Sequence, residues 1–255
     1  MAPPTLQPRP LGGDLLLYAG SAGFALLTAA TSTLPAHRAW GAVATAGYVA
    51  AAGCTLLLLA NARSARPPGP GRTGAARAWI TGAAWVLTTL VPLVVQAVQR
   101  AGGRADRAQE EVLVVEAAGW RLLHHGTPYL GRAAIAALPD GERLLGYTPY
   151  QPGMAVFGLP RALAGAGWAT DARVWFALGT AVVLAVAAHT LLRGPATGSG
   201  RVDQAALIRA GQMATVLPIC SLTLATGGDD LPVLALGLLG FALAHRGRLT
   251  WAGVA

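Results

Sequence analysis

The sequence predicts an all-α protein: a polytopic transmembrane helix bundle with a large outer loop that carries an interfacial helix. Three observations predict it. More than half of the 255 residues are apolar (54%) and only 12% are charged, which with a mean hydropathy of +0.49 is too apolar for a water-soluble chain of this length. The apolar residues fall in runs of about twenty, the length that crosses a hydrocarbon core at ~1.5 Å per residue. Acids, paired histidines and tyrosines gather instead in one stretch, 109–160, QEEVLVVEAAGWRLLHHGTPYLGRAAIAALPDGERLLGYTPYQPGMAVFGLP.

The net charge of +8 comes from arginine alone, because the chain contains no lysine. In a membrane chain such an excess signals cytoplasmic loops, and no basic run with interleaved aromatics points to a nucleic-acid partner. Cys54 and Cys220, the only cysteines, sit inside apolar runs, so neither a disulfide framework nor a thiolate metal site is indicated.

Residues 1–14 begin with a proline-rich segment and read as a disordered tail, leaving 15–255 as a single transmembrane domain. Residues 15–34 form a first span, ended by Pro35, and 40–60 a second. Residues 61–77 follow as a turn-rich loop in which Arg63, Arg66, Arg72 and Arg77 favour the cytoplasm. Residues 79–98 then carry the chain out, with the amino terminus cytoplasmic and the loop 100–150 extracytoplasmic. Between Arg100 and Arg143 six arginines balance six acids (Asp106, Glu110, Glu111, Glu116, Asp140 and Glu142), so this loop has no net formal charge. Within it, EEVLVVEAAGWRLLHH is long enough for about four helical turns and is expected at the interface.

Residues 154–168 are apolar but short and broken by Pro160 and Arg161. Residues 174–192 form a clear span, followed by the basic loop 193–201, then a span over 208–225 broken at Pro218 and a short one over 231–244. Placing both basic loops in the cytoplasm leaves 154–168 no net crossing. Either it is re-entrant, the favoured expectation, which backbone tolerates only beside protein or a wet cavity, or it spans and one basic loop breaks the positive-inside rule.

Glu111 and Glu116 flank VLVV in the predicted interfacial helix. A carboxylate there is costly unless partnered, and can act as a general base toward an acceptor hydroxyl; the structural reading is an ion pair with Arg121 or another loop arginine. His124 and His125 are adjacent, so they point in different directions and form no metal pair; they can meet a phosphate or cap helix-end carbonyls. Tyr129, Tyr147 and Tyr150 suit sugar or headgroup contact, or are ordinary interfacial tyrosines. Asp229 and Asp230 at a span boundary can bind an acceptor or cation, or cap the helix that starts at Leu231. No P-loop, GxSxG or HExxH motif occurs, and no GxGxxG follows a predicted strand.

The order LLHHGTPY, YTPYQPGMAVFGLP, DARVWF and TGGDDLPVLALGLLGFALAHRGRLTWAGVA resembles the bacterial polyprenyl-phosphate-mannose-dependent α-1,2-mannosyltransferases of the glycosyltransferase C fold, especially their actinobacterial integral membrane members. The similarity runs over 110–255. It implies transfer of a sugar, typically mannose, from a polyprenyl phosphate to a glycan or lipid acceptor hydroxyl at the outer face of the cell membrane, with no cofactor and no obligatory metal. The family's catalytic aspartate, at the start of the first large outer loop, falls on Glu111 here, with Glu116 second. The resemblance places Tyr147, Pro149, Tyr150 and Pro152 on the tyrosine-proline element and Gly228, Asp229 and Asp230 on the glycine-polar element. Arg121, His124, His125 and Tyr129 would lie near the donor. The family's chains continue past Ala255, so this chain reads as the amino-terminal portion of such an enzyme, truncated at its carboxyl end. The competing expectation is a non-enzymatic or transporter-like bundle in which Asp229 and Asp230 bind the solute; it calls for a repeat of spans, and none is visible.

Overall fold

A computed structural model describes residues 9–64, 69–193 and 203–255. The elements in chain order are α1 (Arg9–Thr31), α2 (Pro35–Ala62), α3 (Pro70–Trp85), a π turn (Val86–Leu90), α4 (Val91–Ala101), a single 3-10 turn (Ala105–Arg107), α5 (Glu110–His125), α6 (Arg132–Ala136), α7 (Arg143–Gly146), a 3-10 helix (Pro152–Gly158), α8 (Leu159–Ala164), α9 (Ala172–Arg193), α10 (Gln204–Thr215), α11 (Pro218–Thr226), α12 (Asp230–His245) and α13 (Leu249–Ala252). Among the described residues no strand occurs, and the all-α polytopic architecture read from the sequence is the one observed.

Among the described residues four helices are long and apolar enough to cross a membrane: Pro10–Thr31, Pro35–Ala62, Gly71–Ala101 and Ala172–Leu192. A fifth results if Gln204–Thr215 and Pro218–Thr226, bent by 41°, form one span. The break falls just before Pro218, whose ring and missing N–H cannot continue the preceding helix. Residues 9–14, expected in the tail, are already helical. The loop expected over 61–77 is also shorter: Gly69 ends it and Pro70 opens α3, its fixed φ suiting the first helical turn. Arg72 and Arg77 are therefore helical residues. Arg66, residues 1–8 and most of the basic loop 193–201 lie outside the described residues.

The described residues, read from the sequence as one transmembrane domain over 15–255, gather into two compact units, one within Met1–Pro92 and Leu191–Leu222 and the other within Leu93–Thr190 and Thr223–Ala255. The first is held by buried polar contacts between apolar helices. Trp40 is fully buried, and its indole N–H donates to the Thr88 carbonyl at 2.8 Å. That carbonyl lies in the π turn, and Ser221 donates to it as well at 2.8 Å; wide turns of this kind present backbone oxygens to neighbouring helices. Arg77, expected as a loop charge, forks onto Asp14 at 2.6 and 3.1 Å with both groups buried, and Arg209 approaches the same carboxylate at 3.0 Å. A lone carboxylate among apolar helices would be costly, and the paired arginines offset that cost.

In the second unit α5 is the central piece. Val112, Val114, Val115, Ala118 and Gly119 bury it, and it packs against the 3-10 helix and α8. The crossing is a glycine contact: a methyl group on Gly119 would overlap the backbone of Gly158, and one on Gly158 would overlap the Val115 carbonyl. This is where the segment 154–168 goes. It is a 3-10 turn followed by a six-residue helix lying on α5, and no helix of spanning length forms there.

Candidate functional site

The helix α5 starts at Glu110 without a side-chain cap from Gln109. Gln109 pairs instead with the end of α11: its backbone N–H donates to the Thr226 carbonyl at 2.9 Å, and the Thr226 hydroxyl donates to its side-chain oxygen at 2.8 Å. This two-way clamp brings the first turn of α5 to the glycine turn Gly227–Gly228, where Gly228 has a φ of +87° that favours glycine. Gly227 is equally constrained by space. A methyl group there would come within 2.9 Å of the Gln109 side-chain oxygen and 3.5 Å of Oε2 of Glu111.

Glu111 therefore faces the turn that carries Asp229 and Asp230. Its Oε2 is buried and has no hydrogen-bond partner, which is unusual because buried carboxylate oxygens are nearly always satisfied. Asp229 is buried and Asp230 exposed. Asp229 occupies the cap position of α12 but makes no capping bond; its carboxylate meets the Tyr150 hydroxyl instead. Burial, together with the charges of Asp230 and Glu111, pushes the Asp229 carboxyl up, against the opposing hydrogen bond from Tyr150. Burial and the same three carboxylates push the Tyr150 phenol up, so it stays a hydrogen-bond donor at neutral pH. Tyr129 supports this arrangement by donating its hydroxyl to the Tyr150 carbonyl at 2.9 Å.

Glu116 has different surroundings. Oε1 accepts from Arg100 at 2.8 Å and from the Ala172 backbone N–H at 3.2 Å, while Oε2 accepts from Arg100 at 2.7 Å and meets Arg161 at 3.1 Å. Arg100 also reaches Asp171 at 2.9 Å, and Arg173 forks onto both oxygens of Asp171 at 2.8 Å each. Burial alone would push the Asp171 carboxyl up, but Arg173 and Arg100 outweigh it and hold it down at about 2. The ion-pair reading of Glu116 thus describes its contacts, with Arg100 and Arg161 as partners rather than Arg121. Arg121 instead donates to the Pro128 carbonyl at 2.8 Å and to the Thr148 hydroxyl at 2.9 Å, tying two loop segments together.

The remaining candidates lie at the surface. His124 is exposed, bonds the Trp120 carbonyl one turn back at 2.8 Å, and stacks on the Trp120 ring at 4.4 Å between centroids. His125 is exposed against the edge of the same ring, and Tyr147 is exposed at 60%. Among the described residues no group of three His, Cys, Asp or Glu is placed to hold a metal ion. The residues that sequence reasoning missed are Gln109, Arg100, Asp171, Arg173 and Thr226. Their one visible signal was the acid-arginine pair in DARVWF at the start of α9.

The geometry brings Glu111, Tyr150, Asp229 and Asp230 together, and it separates them from the role of Glu116. An acid with a free buried oxygen beside a second carboxylate and a phenol can take a proton from a hydroxyl and orient polyol oxygens. A family model described as glycosyltransferase family 87 matches residues 147–255, somewhat less than half of the chain. The matched stretch includes Tyr150, Asp171, Arg173, Asp229 and Asp230, while Glu111 and Glu116 precede it. None of the curated proteins and none of the solved structures matches the chain.

Proposed function

We propose that this chain is a membrane glycosyltransferase that moves a sugar, typically mannose, from a polyprenyl-phosphate donor to a glycan or lipid acceptor hydroxyl at the non-cytoplasmic face of the cell membrane. The single observation that carries the reading is the unpartnered buried oxygen of Glu111 beside Asp229 and Tyr150, two residues of the stretch similar to glycosyltransferase family 87. The run of spanning helices supports a lipid-borne donor, and a sequence with no P-loop and no GxGxxG after a predicted strand agrees with it.

In this reading Glu111 is the base. It removes the proton of the acceptor hydroxyl as that oxygen bonds to the anomeric carbon, while the bond from that carbon to the phosphate oxygen breaks and polyprenyl phosphate leaves with the electron pair. Asp229, Asp230 and Tyr150 orient the hydroxyls of the sugar or acceptor, and exposed Trp120, His124, His125 and Tyr147 face the headgroup region. Glu116 takes no proton, because both its oxygens already accept from arginines or backbone. Arg121 holds the loop.

The two glutamates are separated by substitution. Glu111→Gln is expected to lower kcat by about 100- to 10,000-fold with donor KM little changed, the range for losing a general base. Glu116→Gln is expected to cost about 3 kcal/mol of stability by leaving buried arginines short of a partner. Full turnover in folded Glu111→Gln, measured in membranes with polyprenyl-phosphate-mannose, contradicts its assignment as the base.

A further inference from the structure

Arg173 is completely buried, and its guanidinium joins three segments distant in sequence. Nε and Nη2 fork onto Asp171. Nη1 donates to the Arg107 carbonyl at 2.6 Å and to the Ala225 carbonyl at 3.2 Å. Those two carbonyls belong to the chain entering α5 and to the end of α11, the two backbones that close on each other through Gln109 and Thr226 just beyond. Glu111 follows on one of them and Gly227 to Asp230 on the other.

We infer that Arg173 is a positioning residue for the group transfer proposed above, setting the register between the start of α5, which carries Glu111, and the turn that carries Asp229. Its consequence for turnover rests on that reading; its consequence for geometry does not. The chemistry requires arginine. A planar fork can hold a carboxylate with two N–H groups and still present another to backbone carbonyls, whereas a lysine ammonium is a single point of attachment on a flexible stem. The fork has little freedom to swing, because Arg100 fixes Asp171 from another side at 2.9 Å.

The test uses the full chain in membranes, in a Cys54→Ala, Cys220→Ala background, with Gln109→Cys and Gly227→Cys as a reporter pair. A β-carbon on Gly227 would lie 3.6 Å from that of Gln109, inside the disulfide range of about 3.5–4.5 Å. Gly227 does not have a positive φ and accepts a side chain, and Gln109→Cys removes the oxygen that would collide with it. With Arg173 present, mild oxidation is expected to close the disulfide rapidly; Arg173→Lys is expected to slow closure on the order of tenfold. In chains with native residues at 109 and 227, Arg173→Lys is expected to lower kcat about ten- to a hundredfold with donor KM within about twofold, the signature of misplaced reacting groups. Asp171→Asn, which keeps the side-chain shape while weakening the fork, is expected to do the same and serves if Arg173→Lys does not fold. Closure at the parental rate in the folded variant overturns the inference, as does slowed closure with unchanged kcat. Full turnover in Glu111→Gln, by contrast, removes the base assignment and leaves the difference in closure rate standing.

Discussion

Glu111 and Glu116 share a helix and differ in what their oxygens meet. Each oxygen of Glu116 accepts two contacts from Arg100, Arg161 or the Ala172 N–H, while Oε2 of Glu111 is buried without a partner. Neither distinction is legible in EEVLVVE, because the partners come from residues 100, 161 and 172, far along the chain. Asp229 belongs to the same scale. Its carboxyl is raised by burial and by Asp230 and Glu111, so the folded state keeps its proton to higher pH than the unfolded chain does. Stability from this group is then present below the ordinary value of 3.8 and falls as pH rises through the raised value. Asp229→Asn, whose amide oxygen can still accept from Tyr150, is expected to raise the melting temperature at pH 7. The gain should vanish below about pH 3.8, the ordinary carboxyl value. Equal shifts at both pH values in thermal melts contradict this account of the group.

At the scale of elements, the crossing of α5 with the 3-10 helix and α8 decides where the site can form. The apolar body and histidine end of α5 are readable from residue order, and the helix spans the residues expected, Glu110–His125. The behaviour of 154–168 is less so. Its composition suits a half-buried apolar segment, but the Gly119–Gly158 approach that seats it on α5 depends on two glycines distant in sequence. Gly158→Ala is expected to destabilise the fold by about 1–3 kcal/mol, since its methyl group would overlap the Val115 carbonyl and force the helices apart. Gly153→Ala, which meets open space, should leave the melting temperature nearly unchanged. A melt that ranks the two the other way contradicts the crossing.

For the whole molecule, hydropathy alone located the four long apolar helices, because a run of about twenty apolar residues has few alternatives, whereas the short span read over 231–244 is the helix Asp230–His245, which falls below spanning length. Pro218 announced the break between α10 and α11 in the same way. Reading every arginine between 61 and 77 as a loop charge failed where Arg77 is drawn inside to Asp14, since charge counting cannot see a partner 63 positions away. The clamp of Gln109 on Thr226 and the reach of Arg173 are likewise long-range, so the acids of the candidate site could be proposed from the sequence but their grouping could not. What the assembled molecule transfers can be read from a single labelling experiment. Membranes containing the chain are given radiolabelled polyprenyl-phosphate-mannose or a nucleotide-linked mannose, each with a glycan or lipid acceptor, and glycosylated acceptor is counted. Label is expected to reach the acceptor from the lipid-linked donor alone, and to be lost in Glu111→Gln; transfer from the nucleotide-linked donor alone, or none above membranes lacking the chain, would contradict the account.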